Sequence, residues 1–277
     1  FAARRGLAPL RAMREQAAAV TAQSLDRRVP TRAVPAELAD LATTLNEMLE
    51  RLEDAFRRLS DFSSDLAHEL RTPISNLMMQ TQVALSRPRD ADSYRAILES
   101  NAEEFERLAR MIADMLFLAK AENGLAIVHR EPVDLAREVQ DLFDFYEALA
   151  DEQAIRLDVQ GAGVVLGDRL MLRRALNNLL SNALRHTPAG GQVAVTIVRQ
   201  AGQIVLTVEN TGEMIPAQHL ARLFERFYRA DPSRQHASGE GTGLGLAITQ
   251  AILRAHRGNV SVASARGLTT FTLRLPF

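Results

Sequence analysis

The chain has 277 residues, which is long enough for two or more domains. Its formal net charge is −1, so the charge gives no reason to expect binding to nucleic acid or to a strongly anionic surface. Cysteine is absent, which excludes disulfides and thiolate metal sites. The sequence has no apolar run of about eighteen residues, so no segment of it is predicted to span a membrane.

The first five residues, FAARR, place an apolar tripeptide directly before two arginines. They are either the end of a transmembrane helix followed by cytoplasmic positive charges or an arbitrary start of the chain. Apolar residues at helical spacing then predict a helix over 7–25. The polar connector over 26–34 contains two apolar residues that can anchor it, Val29 and Val34. A second helix is predicted from about Pro35, because proline suits the first helical turn.

This second helix carries apolar residues at alternating spacings of three and four, which is the heptad seam of a coiled coil. Between Glu37 and Leu70 there is no glycine or proline, so no break is predicted. After Leu66 the spacing changes to four, four and three, and such a step locally unwinds a supercoil. The seam consists of Leu38, Leu41, Leu45, Met48, Leu52, Ala55, Leu59, Phe62 and Leu66.

The stretch FSSDLAHELRTP, residues 62–73, lies in this helix and places His68 next to the carboxylate of Glu69. Thr72 follows His68 by four residues and lies on the same helical face. Pro73 removes the N–H that would bond the Glu69 carbonyl, so the helix should be weakened or bent there. His68 is two residues past a seam position and is predicted to face solvent. Taken alone, this pattern also fits an ordinary surface histidine.

A turn cluster over 86–90 ends the helix near Leu85, and a second long amphipathic helix follows, with Gly124 as its predicted C-cap. Two such helices in a hairpin cannot bury both apolar faces alone, which favours a four-helix bundle of two copies. Asn101, in the second seam, either sets the register or lies at the bundle edge. The second seam consists of Tyr94, Leu98, Asn101, Phe105, Leu108, Ile112, Met115 and Ala119.

Residues 125–133 are interpreted as a linker, after which short strands and helices are mixed. Asp134 is placed to cap a helix that reaches about Ala150. The turn Gln200–Gly202 joins two strands in a hairpin. This pattern predicts an α+β sandwich. The other predicted elements are strands at 155–159, 164–166, 192–199, 203–209, 259–263 and 269–275 and helices at 168–185 and 244–257.

Two motifs of this last region carry polar groups suited to a nucleotide. In RALNNLLSNALRHTP, residues 174–188, Asn178 and Asn182 share a helical face. Their amide oxygens are suitable magnesium ligands, although a buried pair bonded to the backbone fits equally well. The second motif is VENTGEMIP, residues 208–216, which follows a predicted strand.

The other two motifs flank a polar segment over 230–240. LFERFYR, residues 223–229, contains two phenylalanines three residues apart, a spacing that is more often core than function. GTGLGL, residues 241–246, precedes a predicted helix, and its glycines let the backbone approach a phosphate that the free N–H groups attract. The uncapped segment between the motifs is predicted to be a mobile lid.

HELRTP resembles the H box of sensor histidine kinases. The resemblance implies that His68 attacks the terminal phosphate of ATP and that Glu69 orients the imidazole and raises the basicity of its free nitrogen. It also implies that Thr72 positions water for removing phosphate from the partner protein. The helix, connector and helix at the start resemble a HAMP domain, with Pro9, Glu37 and LNEML in matching places.

The later motifs resemble the N box, first glycine box, F box and second glycine box of the GHKL ATPases. By this resemblance Asn182 binds magnesium, Arg185 faces phosphate and His186 replaces a common tyrosine. Asn210 stands where an aspartate usually accepts the adenine amino group, and Met214 replaces a glycine, so weaker nucleotide affinity is expected. The residues expected to bind ATP are Asn178, Asn182, Arg185, His186, Asn210, Gly212, Ile215, Phe224, Phe227, Gly241, Thr242, Gly243, Leu244, Gly245 and Thr269.

Together the resemblances imply a multidomain chain: a HAMP domain over 1–56, a dimeric phosphotransfer hairpin over 57–124, a linker over 125–133 and a catalytic ATP-binding domain over 134–277. Its first two domains are expected to be all-α and to include a four-helix bundle, and its last an α+β sandwich. We expect the cytoplasmic part of an inner-membrane kinase, anchored through a preceding segment.

The implied reaction uses ATP and magnesium, phosphorylates His68 and passes the phosphoryl group to an aspartate of a response regulator, which the protein also dephosphorylates. DPSRQ after the F box, with Asn210, resembles copper- or silver-responsive sensor kinases. Two alternatives stay open, a phosphatase-dominant protein and a non-catalytic dimeric signalling scaffold, each with a weakened nucleotide site.

Overall fold

The computed structural model describes residues 28–29, 36–122, 129–230 and 242–277. The chain divides into two compact units, residues 1–86 and 87–277. Several predictions fall outside the described residues, namely the helix over 7–25, Val34, Gly124, Gly241 and all of the lid except Ala230.

The first unit is built on one helix of 50 residues, α1 (Ala36–Leu85). The absence of glycine and of early proline allows this length, and the helix ends where Ser86 begins the predicted turn. Pro73 lies inside α1, and the helix continues through it. The missing N–H therefore removes one main-chain hydrogen bond without ending the helix.

The connector before α1 is anchored at Val29, whose side chain is buried with Ala42 and against Leu45. The Val29 N–H donates to Asn46 Oδ1 at 2.8 Å, and Asn46 Nδ2 donates back to the Val29 carbonyl at 2.9 Å. Arg28 adds an ion pair with Glu53 at 2.6 Å. The asparagine of the LNEML stretch thus fastens the connector to the helix.

Most described residues of the predicted seam are exposed in the single chain. Leu41 and Leu59 are 54% and 59% exposed, whereas Ala42 and Leu49 beside the seam are buried. The seam is therefore apolar surface that this one chain does not cover.

The second unit begins with α2 (Ala91–Glu122), where Asp90 accepts a hydrogen bond from the Ser93 N–H at 2.6 Å. The mixed domain follows with α3 (Leu135–Glu152), capped by Asp134 as predicted. The remaining elements are β2 (Arg156–Gly161), β3 (Val164–Gly167), α4 (Arg169–His186), β4 (Gln192–Gln200), β5 (Gln203–Thr211), α5 (Ala217–Leu220), α6 (Gly245–Ala255), β6 (Asn259–Ala265) and β7 (Leu268–Pro276).

The interpretation of 125–133 as a linker is wrong for its last residues, which form the strand β1 (Glu131–Asp134). This strand pairs antiparallel with β3, and Pro132 lies opposite Leu166. The proline is tolerated because the two strands form a separate two-stranded sheet with no further neighbour on that edge. Such a short non-local pair leaves no period in the sequence.

The main sheet has the order β2-β4-β5-β7-β6, with β2 and β4 parallel and the other pairs antiparallel. Alternate residues of β4, β5 and β7 are buried, and the helices α3, α4 and α6 pack on this sheet. The α+β sandwich is therefore present as predicted. It places the end of α4 and the start of α6 beside the ends of β5 and β7.

Candidate functional site

The histidine of the H-box stretch is exposed on α1. His68 and Thr72 are both exposed, Glu69 is half-buried and Pro73 is buried. The spacing of four residues keeps His68 and Thr72 on one helical face. An imidazole nitrogen on this face is open to a large partner, and a hydroxyl lies one turn away.

The N-box helix α4 ends in two basic residues, Arg185 and His186, both exposed. Asn182 and Asn178 lie one and two turns earlier, respectively, and are half-buried. The Nδ2 of Asn178 donates to the Gly245 carbonyl, at a distance of 3.0 Å. Asn178 is therefore tied to the residue that begins α6.

The end of β5 lies against the end of α4 through Gly212. A β-carbon at this position would lie 2.6 Å from the His186 carbonyl oxygen, so only glycine allows this approach. The Gly212 N–H donates to the Gly267 carbonyl at 2.9 Å. The first glycine box is thereby fixed between the N box and the turn before β7.

Asn210 lies at the base of this region and is 4% exposed. Its Nδ2 donates to the Thr211 carbonyl at 3.2 Å, which leaves its Oδ1 as the acceptor. Thr269 is directly opposite in β7, also buried, and its hydroxyl lies 3.0 Å from Ser264 Oγ. Three strands thus bring short polar side chains together.

The two ends of the lid meet at Phe227 and Gly243. The Phe227 N–H donates to the Gly243 carbonyl at 3.0 Å, and a β-carbon on Gly243 would lie 2.7 Å from Phe227 Cα. Both residues have positive φ, 59° for Phe227 and 68° for Gly243. A phenylalanine in this region is strained, so the surrounding contacts must hold it there. Phe224 is half-buried.

The start of α6 has no side-chain cap, and Leu244 before it is buried. Free N–H groups at a helix start attract a phosphate, and Thr242 and Gly243 lead directly into them. Ile215 is half-buried, and its N–H donates to Ser264 Oγ at 3.0 Å. Met214, which replaces a glycine of the motif, is 62% exposed.

The structure therefore brings together most of the predicted nucleotide residues. Gly212 at the end of β5 lies against His186, Asn210 lies opposite Thr269, and Asn178 of α4 bonds the start of α6. Gly241 lies outside the described residues. Across 28–29, 36–122, 129–230 and 242–277, no group of three or more His, Asp or Glu side chains is arranged to hold a metal ion. Magnesium prefers oxygen ligands, and the side-chain amides of Asn178 and Asn182 carry such oxygens.

Sequence reasoning missed three polar residues that organise these regions. Thr249 is fully buried and donates its hydroxyl to the Gly245 carbonyl at 2.9 Å. Ser264 bonds both Ile215 and Thr269, and Asn46 holds the connector. The sequence held a signal for two of them: Thr249 lies four residues after Gly245 on the predicted helix, and Asn46 lies in the LNEML stretch that matches the HAMP pattern.

A long helix with an exposed histidine, followed by an α+β domain with an uncapped helix start, is typical of one protein class, the histidine kinases. Three family models match the chain. Residues 167–277 match the histidine kinase-, DNA gyrase B- and HSP90-like ATPase, residues 58–124 the His Kinase A (phospho-acceptor) domain, and residues 1–54 the HAMP domain.

The chain is 49% identical to the sensor histidine kinase CusS of Escherichia coli K12 over 278 residues, which cover 100% of this chain and 58% of CusS. It is similar to the Acinetobacter baumannii histidine kinase AdeS, with a TM-score of 0.61, 25% identity and coverage of 76% and 97% of the two chains. It shares the fold of histidine kinase ThkA, solved in complex with response regulator protein TrrA, with a TM-score of 0.63, 20% identity and coverage of 79% and 63%.

The chain belongs to the sensor histidine kinase family of two-component systems, in its heavy-metal sensor subgroup. The predicted sensor histidine kinase family and the predicted heavy-metal subgroup are both confirmed. The chain spans between half and three fifths of the length of the curated relatives it matches. None of its described helices is long and apolar enough to cross a bilayer.

Proposed function

We propose that this chain autophosphorylates His68 from ATP and passes the phosphoryl group to an aspartate of a response regulator. In the first step an imidazole nitrogen of His68 forms a bond to the γ-phosphorus while the bond to the bridging oxygen breaks and ADP leaves. The family carries its phosphoacceptor in the domain that residues 58–124 match. The exposure of His68 on α1 supports this role.

One observation supports the proposal: direct contacts link four motifs that are far apart in sequence. Gly212 lies against His186, Asn178 bonds Gly245, and Phe227 bonds Gly243. Core packing does not require a glycine turn or an uncapped helix start beside half-buried amides. A nucleoside triphosphate does, because its phosphates bind free N–H groups at close range.

Within this site we propose a role for each group. Asn182 binds magnesium, which spreads the charge of the transferred phosphoryl group, and Arg185 faces the phosphates. Asn210 accepts the adenine amino group through Oδ1, with Thr269 beside it. Phe224 and Phe227 hold the lid. Residues 134–277 then act as the catalytic domain and 57–124 as the phosphotransfer domain.

We also propose that the active form is a homodimer. Both long helices expose apolar residues that a second copy can cover, among them Leu59 and Met78 of α1 and Leu98 and Phe105 of α2, each 57% or more exposed. A monomer rarely leaves such stripes open. The matched phospho-acceptor and HAMP domains support pairing through the same helices.

The native protein is proposed to lie at the inner membrane, with residues 1–56 as a HAMP domain that receives a copper or silver signal from a preceding segment. The HAMP match and the similarity to CusS support this placement. A response regulator receiver domain is the proposed partner, as in the solved complex of ThkA with TrrA.

Autophosphorylation with γ-labelled ATP and magnesium tests the proposal, comparing the chain with His68→Gln. Acid-labile label is expected in the unchanged chain and absent in the variant. His129→Gln removes another exposed histidine and is expected to keep the label. A folded dimer that takes no label at all would contradict the proposal and favour a non-catalytic scaffold.

The Thr72→Ala variant tests the proposed second activity. Loss of regulator dephosphorylation with autophosphorylation kept is the expected result, because the Thr72 hydroxyl is proposed to position water. Strong dephosphorylation by a chain that never takes label would instead favour a phosphatase-dominant protein.

A further inference from the structure

The side-chain amide of Asn178 makes a hydrogen bond within the protein. Its Nδ2 donates to the Gly245 carbonyl at 3.0 Å. A β-carbon built on Gly245 would lie 3.5 Å from Asn178 Cγ, so the amide lies flat against this glycine. The same carbonyl accepts a second hydrogen bond from Thr249 Oγ1 at 2.9 Å. The first residue of α6 is thus held by two side chains, one from α4 and one from α6 itself.

Asn182 differs from Asn178 although both are half-buried on one face of α4. Its side chain has no hydrogen-bond partner among the residues that the structure describes. An amide with no partner among the described residues is available to an incoming cation. The two asparagines, which share one helical face, therefore differ in what their side chains bond.

The bond from Asn178 has a geometric consequence. It joins the helix that carries Asn182 to the turn whose N–H groups begin α6. The spacing between a cation on Asn182 and phosphate oxygens at the helix start depends on how α4 and α6 are held. Among described side chains, Asn178 is the one that crosses from α4 to this turn.

We propose that Asn178 is a positioning residue, which holds the start of α6 against α4 through its N–H₂ group, and that it is not a magnesium ligand. This inference rests on the proposed nucleotide function. It requires the donor of Asn178, whereas a role as magnesium ligand requires the oxygen. Aspartate separates the two, because it keeps an oxygen that magnesium prefers and loses the donor.

The test compares Asn178→Asp, Asn178→Ala and Asn182→Ala in the full chain. ADP binding is measured with magnesium and with EDTA, and hydrogen exchange of residues 245–249 is measured without nucleotide. Asn178→Asp and Asn178→Ala are both expected to weaken ADP binding about tenfold, with and without magnesium, and to speed the exchange about tenfold. Asn182→Ala is expected to remove only the gain that magnesium gives and to leave the exchange unchanged.

Two further variants keep the test independent of gross unfolding. Thr249→Val removes the other donor to the Gly245 carbonyl and is expected to speed the same exchange. Ser181→Ala, whose hydroxyl bonds only the Asn178 main-chain carbonyl at 3.2 Å, is expected to leave it unchanged.

Asn178→Asp binding magnesium–ADP as tightly as the unchanged chain would overturn the positioning role. Exchange that is unchanged in Asn178→Ala would overturn it as well. A folded, unchanged chain that binds no nucleotide would overturn the proposed function instead, while the exchange result would still decide whether Asn178 holds α6.

Discussion

Arg174 of α4 forms an ion pair with Asp114 of α2, and its guanidinium carbon lies 4.6 Å from the centre of the Phe117 ring. The helix α2 also packs against α6. Arg174 lies one turn before Asn178 on α4. The helix α2, which lies in the region that matches the phospho-acceptor domain, therefore contacts both α4 and α6, the helices of the proposed nucleotide site.

The carboxyl of Asp114 contributes less to this contact than an ion pair suggests. Burial raises the pKa of Asp114 above its ordinary value, and this effect outweighs the attraction of Arg174. A raised folded-state pKa means that the contribution of Asp114 to stability is present at low pH and decreases as pH rises through that pKa.

Asp114→Asn is expected to change the free energy of unfolding by less than about 0.5 kcal/mol, because the cost of burying the carboxylate offsets the attraction of Arg174 that the variant loses. Asp114→Arg places two like charges together and is expected to speed hydrogen exchange at the end of α2. Adding Arg174→Asp should restore slow exchange, with a coupling energy of about 1 kcal/mol in the charge-reversal cycle. Additive effects would show that the two side chains do not interact.

Glu138 of α3 is a second point at which α4 is held. Its side chain is 3% exposed and accepts hydrogen bonds from Arg169 Nε at 2.5 Å and Arg173 Nη1 at 3.1 Å. Glu138→Gln is expected to lower the free energy of unfolding by about 1–3 kcal/mol, because one of the two hydrogen bonds loses its acceptor and the other loses the carboxylate charge. The two arginines are 49% and 37% exposed and stay solvated, so a larger loss is not expected.

Chemical denaturation measures this loss, with Glu99→Ala as the matched control. Glu99 pairs with Arg95 on the surface of α2, where the side chains are 65% and 79% exposed. Removing that pair is expected to change the stability by less than about 0.5 kcal/mol. Equal losses of unfolding free energy in the two variants would mean that burial of Glu138 does not strengthen its ion pairs.

His256 at the end of α6 makes stability depend on pH. Its ring is buried, Nδ1 donates to the Ile252 carbonyl at 2.8 Å, and Nε2 accepts from the Asp168 N–H at 3.0 Å. Burial lowers the pKa of His256 below its ordinary value. The neutral ring is therefore the form that the folded state prefers, and its contribution to stability is present above about pH 6.5 and lost as pH falls through the folded pKa.

His256→Leu is expected to lower stability by about 1–3 kcal/mol at pH 8, because the Asp168 N–H loses its acceptor. Below pH 6.5 the variant should lose less additional stability than the unchanged chain does. Thermal unfolding between pH 8 and pH 5 measures both effects. His129→Gln, at an exposed position, should keep the steep dependence; if His256→Leu keeps it too, His256 is not its cause.

The sequence predicted what local patterns encode. Apolar spacing located the long helices, a capping residue type located the cap at Asp134, and turn residues located the hairpin at Gln200–Gly202. Contacts between distant residues left no such pattern. The strand β1 forms only because residues 131–134 meet 164–167, and Arg174 meets Asp114 across sixty positions.

Within the candidate site, motif spacing located Asn178 and Asn182 but could not distinguish them. The difference depends on the Gly245 carbonyl, 67 residues away from Asn178. The same holds for Asn210, because its amide orientation is set by the fold of β5 around Thr211. Sequence therefore predicts which residues gather at the site, and tertiary contacts decide which atom each one presents.

Asn210→Asp is expected to have opposite effects on stability and on nucleotide binding. Without nucleotide, the variant buries a carboxylate and loses the bond from Nδ2 to the Thr211 carbonyl, so the unfolding free energy should fall by about 1–3 kcal/mol. With nucleotide bound, the carboxylate should accept the adenine amino group in a stronger, charge-assisted bond. Binding of ATP analogues should tighten about fivefold, because a bond to a charged group is worth roughly 1 kcal/mol more.

Calorimetry with and without ADP separates the two effects, and a guanine nucleotide is the control ligand. Guanine carries an oxygen where adenine carries its amino group, so Asp at position 210 should repel it and increase the preference for adenine. Asn210→Ala should weaken ADP binding without favouring either base. Tighter binding of both nucleotides by Asn210→Asp would mean that residue 210 does not contact the base and that Thr269 or the main chain selects adenine instead.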